Sequence, residues 1–84
     1  AVIYLVHPAA EPEQVRAEGL ADDLTLITGA LIAVDTTLTQ SQLYHGLKRL
    51  QPPDVPLVVA PLTETPKLKS VEHGAVSWLR ERLA

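Results

Sequence analysis

The sequence contains no cysteine and no methionine. Disulfide frameworks, thiolate zinc sites, redox pairs and a thiol nucleophile are removed together by that absence. No stretch approaches the roughly 20 apolar residues needed to cross a bilayer, so no membrane partner is expected. The opening apolar run from Val2 to Val6 has no charged region before it and is too short for a signal-peptide core. No targeting segment is read there, and the expected compartment is the cytoplasm. A glycine-rich phosphate cradle is also missing, and only Tyr4, Tyr44 and Trp78 could stack on bases. Basic charge is in the minority: 7 Lys+Arg stand against 10 Asp+Glu, a formal charge of -3. That balance argues against a high-affinity nucleic-acid footprint and leaves room only for a local basic patch.

What is present is 84 residues, 46% of them hydrophobic. A chain of this length makes one domain, here residues 1–84, with one small core and no deep cleft between lobes.

Val2 to Val6 is a continuous apolar, largely β-branched run closed by His7 and Pro8, which reads as a strand buried on both faces. Pro12 suits the first turn of a helix, with Glu11 and Glu13 near its positive end, and that helix is expected to run to about Asp22. Gly19 interrupts it. Leu24 to Ile27 and Ala30 to Val34 then form two strands separated by Thr28 and Gly29, a tight hairpin in which glycine would supply a positive φ. The second helix is marked most clearly. Thr39 and Gln42 have capping-box spacing, Leu38 and Leu43 sit where a hydrophobic staple belongs, and Leu43, Leu47 and Leu50 form one stripe. Gly46 joins that stripe where close approach to a sheet favours a missing side chain, and Pro52 and Pro53 end the helix. Leu57 to Ala60, bracketed by Pro56 and Pro61, reads as an edge strand. After a polar loop from Thr63 to Lys69, Ser70 would cap a last helix carrying Val71, Ala75, Trp78, Leu79 and Leu83 on one side.

The pattern is strand, helix, strand twice over, joined by a hairpin. Its economical solution is the α/β (α+β) ferredoxin-like βαββαβ arrangement, an antiparallel sheet ordered four, one, three, two, with an additional C-terminal helix. Two helices on one face leave the other face uncovered, yet the central strands do not alternate apolar with polar. Either Val2, Tyr4 and Val6 or Ile3 and Leu5 face that second side. Leaving such side chains wet forgoes about 1.5 to 3 kcal/mol each. Trp78 and Leu79 of the last helix can cover part of it, and a second copy of the chain is expected to cover the rest, giving a homodimer.

The stretch from Ala30 to Leu38, the helix bearing Leu43, Leu47 and Leu50, the strand from Pro56 to Leu62 and the later Trp78-Leu79 resemble the small ferredoxin-like subunit of CRISPR adaptation complexes and its SinR-like relatives. The resemblance covers about half the chain and implies a homodimer with a capacity for nucleic-acid contact. Some members of that family are metal-dependent nucleases using an Asp at the end of the first strand. Val6, His7 and Pro8 hold that place here, so neither the metal site nor the nuclease chemistry transfers.

His7 could act as a base or ligand, but antiparallel central strands put Asp35 a strand length away from it. His45 and His73 share no metal-ligand spacing with it, and Ser41, Ser70 and Ser77 lack a nucleophile-elbow pattern. Residues 35–41 lead into the second helix, where free N–H groups and hydroxyls could hold a phosphate or carboxylate, and ordinary capping is the use expected of them. The expected function is therefore a small homodimeric assembly or protein-interaction module with no catalytic residues, no metal and no cofactor. The alternative is a nucleic-acid-binding protein using Lys67, Lys69, Arg80 and Arg82. A hydrolase or nuclease centred on His7 is the third reading.

Overall fold

A computed structural model describes residues 2–83 of the chain; Ala1 and Ala84, the two ends of the expected domain, lie outside the described residues. The elements run β1 (Val2–His7), α1 (Pro12–Ala17), β2 (Asp23–Thr28), β3 (Leu31–Thr36), α2 (Gln40–Lys48), β4 (Val58–Leu62) and α3 (Ala75–Leu83). They form a small α+β fold around one four-stranded antiparallel sheet ordered β2-β3-β1-β4. The two longest apolar runs, β1 and β3, are the central strands. They can be apolar throughout because both faces of the sheet are covered.

Successive side chains of a strand point to opposite faces, so β1 divides its residues between two cores. Tyr4 and Val6 pack with Leu24, Ile32 and Val34 beneath Val15 of α1 and Leu43 and Leu47 of α2. Ile3 packs the other way, with Ile27 and Ala33, against Ala75 and Leu79 of α3, and Leu5, Leu68 and Val71 border that second core. Ile3 is only 4% exposed and Ala33 is fully buried within one chain. A second copy is therefore not required to keep this face dry, since α3 and the segment before it do so. Of the residues expected to serve the second face, Trp78 and Leu79 lie there. Tyr4 and Val6 lie beneath α1 and α2, and Val2 is 42% exposed. A run without polar residues carries no mark of which parity faces which way.

Local departures from the expected elements have local causes. α1 stops at Ala17, short of Asp22, because Gly19 takes a left-handed conformation (φ 69°) just past the helix end. Gly29 does not supply a positive φ to the hairpin. The turn is held by the Thr28 hydroxyl, which accepts from the Ala30 N–H at 3.2 Å, and a bulge interrupts the register between Leu26 and Thr28. β4 extends through Pro61, which an edge strand tolerates. The Gln40 amide nitrogen donates to the Val59 carbonyl at 2.9 Å on this same strand. α3 starts at Ala75, not near Ser70, because the Glu72 N–H is spent on the Ile27 carbonyl of β2 at 2.9 Å and Gly74 turns left-handed (φ 87°).

α2 begins as its sequence dictates. The Thr39 hydroxyl accepts from the Gln42 N–H at 3.1 Å, and the Gln42 side chain accepts from the Thr39 N–H at 2.9 Å. Gly46 is buried on the helix face, but its neighbour is the Leu20 side chain from the loop after α1, not the sheet.

A methyl group at Gly46 would collide with Leu20, which is only 6% exposed. Gly46→Ala gains about 1 kcal/mol of helix propensity and incurs about 1–3 kcal/mol of overpacking. The expected outcome is a net loss of about 1 kcal/mol in urea unfolding. In a Leu20→Ala background the collision is gone, and the same substitution should be neutral or stabilising.

Candidate functional site

Asp23 and Asp35 stand directly opposite each other on β2 and β3, on the face covered by α3. Like charges in that position repel. Arg82, in the last turn of α3, sits between them: its Nη2 donates to Asp23 Oδ2 at 2.5 Å and its Nε to Asp35 Oδ2 at 3.2 Å. Its Nη1 donates to the Trp78 carbonyl at 3.0 Å, and the guanidinium lies 3.9 Å over the Trp78 ring. Trp78 Nε1 in turn donates to Asp23 Oδ2 at 3.1 Å. One cation thus fastens the end of α3 to both strands of the hairpin. Asp35 Oδ1 is buried and has no partner, so the clamp takes only one oxygen of that carboxylate.

This geometry bears on the basic residues expected at a nucleic-acid surface. Arg82 is committed to the two carboxylates, with only 22% of its side chain exposed. Lys67 and Lys69, on the segment before α3, and Arg80, on α3, are exposed. Lys48 and Arg49 close α2, which packs on the opposite face of the sheet, so the basic residues do not converge on one surface. Tyr4 is buried and Trp78 is occupied by Arg82 and Asp23, so two of the three aromatics cannot serve as open platforms for bases.

The histidines lie on three separate elements. His7 ends β1 opposite Val58, His45 is on α2, and His73 precedes α3. Asp35 is opposite Ile3, and His7 lies four residues further along β1, about 13 Å away at the rise of a strand. The two form no dyad. Among the described residues, no group of three or more His, Cys, Asp or Glu is placed to hold a metal ion.

An open groove of about 440 Å³ lies between the segment that follows α1 and the flank of α2. Leu20 and Leu38 line it together with Glu18, Ser41, His45 and Arg49. His45 Nδ1 lies 2.8 Å from the Ser41 carbonyl, so Nδ1 carries the proton and donates it along the helix. The Ser41 hydroxyl is 3.4 Å from that same nitrogen. A nitrogen already donating cannot accept the hydroxyl proton, so the Ser41–His45 pair is not an activated nucleophile. The groove has room for a ligand or a side chain.

The Asp23–Arg82–Asp35 clamp differs from the roles expected from sequence, in which Asp35 is set against His7 and Arg82 against phosphate. Three charged residues on three elements carry no linear signal of their meeting.

Arg82→Met removes the cation and leaves two opposed carboxylates, one of them 81% buried by the 19% exposure of its side chain. Breaking a fully buried pair costs about 3–5 kcal/mol and an exposed one under about 1, so a loss of about 2 kcal/mol is expected here. Adding Asp35→Asn to Arg82→Met should recover part of that loss, whereas Asp35→Asn alone should destabilise. Urea unfolding followed by the fluorescence of Trp78 measures all three. No family model matches the chain, and no curated protein or solved structure matches it either.

Proposed function

We propose that this chain is a small, non-catalytic assembly module that works as a homodimer of ferredoxin-like subunits. Read from the β4 edge, the sheet order is four, one, three, two with antiparallel neighbours, and α1 and α2 share one face, which supports the ferredoxin-like assignment. The observation that carries the functional reading is the use made of Asp23, Asp35, Trp78 and Arg82. The charged residues packed between layers are spent on fastening α3 to the sheet, where an enzyme would keep them free for a substrate.

Light scattering at low micromolar concentration tests the assembly. A mass of twice the 9.1 kDa chain is the expected result, and a single-chain mass persisting up to millimolar concentration would retire the homodimer.

A second reading is favoured by one observation: Lys67, Lys69 and Arg80 are exposed on the elements that cover one face of the sheet. In that reading the chain is a nucleic-acid-binding relative of the small CRISPR adaptation subunit, contacting phosphates through those three residues. Each phosphate contact contributes a slope of about -0.7 to -0.9 in a plot of log affinity against log salt. Three contacts therefore predict a slope between about -2 and -3 for a short single strand or duplex, measured by fluorescence anisotropy. Absence of binding at low salt would exclude it.

A further inference from the structure

We propose that the groove beside α2 binds a free α-amino acid with an aliphatic side chain, leucine being the type case, through its ammonium, its carboxylate and its side chain together. This goes beyond the assembly role proposed above and is independent of it, because every residue lining the groove comes from one chain.

The charges that line the groove are unspent. Among the described residues every ion pair is made by Arg82, on the other face of the sheet. Glu18, just past α1, and Arg49, which closes α2, are both exposed and line the same groove, yet they bond neither to each other nor to a third charged group. A groove with opposite charges on its two walls is complementary to a small molecule that carries both. A ligand with a single charge meets repulsion from one wall or the other.

The imidazole decides which end of the ligand goes where. His45 Nδ1 donates to the Ser41 carbonyl at 2.8 Å, so Nε2 keeps its lone pair and is an acceptor. The Glu18 carboxylate and His45 Nε2 are then two acceptors for one ammonium, and the Arg49 guanidinium is the donor for a carboxylate. The Arg49 N–H bonds to the His45 carbonyl at 3.4 Å, so the two side chains leave α2 one turn apart on the same side. A turn rises about 5.4 Å, a separation that two long side chains close when they converge on the ammonium and carboxylate of a single carbon atom.

The apolar part of the lining, half-buried Leu38 together with Leu20, calls for an aliphatic side chain on that same carbon. The volume of about 440 Å³ falls toward the lower end of the range for small-molecule sites, about 300–1,000 Å³. A single amino acid meets that size.

The test is a titration of the isotope-labelled chain with L-leucine, followed in amide NMR spectra. Saturable shifts are expected at residues 18–20 and along residues 38–49, with a Kd of about 1 mM, the size appropriate to a small ligand in an open groove. Isopentylamine, which lacks the carboxylate, and isocaproate, which lacks the ammonium, should each bind about fivefold more weakly than leucine, the scale of an exposed charge pair. Glu18→Gln and Arg49→Gln should each weaken leucine by the same factor. Both positions are exposed, so the spectra of the free variants should otherwise match that of the parent chain. Absence of a saturable shift, shifts centred on other residues, equal binding of the amine or the acid, or undiminished binding by either variant overturns the amino-acid site and leaves the homodimer untouched.

Discussion

β1 and β3 present apolar side chains to both sides, and the remainder of the molecule is arranged to answer that constraint. A sheet of this kind is stable only as the middle of three layers. One outer layer is built from the crossover helices α1 and α2, which the connectivity places on the same side. The other has to come from somewhere else, and the chain supplies it from its own C-terminal segment. That division explains why the two cores differ in size. The first is closed by elements woven between strands, the second by a segment added after the sheet is complete.

Fastening an appended layer needs more than apolar area when only Ala75 and Leu79 of its helix are fully buried. The clamp around Arg82 supplies direction as well as attraction. A guanidinium has a planar fork of donors that can reach two carboxylates and a carbonyl at once, and its flat face can rest on an indole. Lysine could satisfy neither geometry. Opposed carboxylates would normally weaken a hairpin, so the hairpin and the last helix each depend on the other's charge.

Much of the fold was legible because its elements are written locally. The capping box at Thr39 and Gln42, the proline-flanked edge strand, the hairpin and the two central strands all follow from residues within a few positions of one another. The extents of α1 and α3 were not, since Gly19 and Gly74 act through backbone conformation and Glu72 through a bond to a strand far away in sequence. The clamp was hidden for a more specific reason. A plain hairpin with Thr28 opposite Leu31 would pair Asp35 with Leu24, and the bulge shifts the register by one so that Asp35 meets Asp23 instead. No rule applied to the linear sequence announces a bulge at Leu26 and Thr28. The groove beside His45 was equally invisible, because its walls come from two segments, around Leu20 and around Ser41, that are distant in sequence.

The outer edge of β4 has a bearing on how copies of this chain can gather. An open strand edge is a template on which further strands polymerise, and repeated addition there leads toward fibres. At this edge Pro61 has no N–H to give, and the Val59 carbonyl is already occupied by the Gln40 amide. Stacking of sheets end upon end is thereby obstructed on that flank. Growth by strand templating stalls at β4, which favours assemblies of fixed size over filaments.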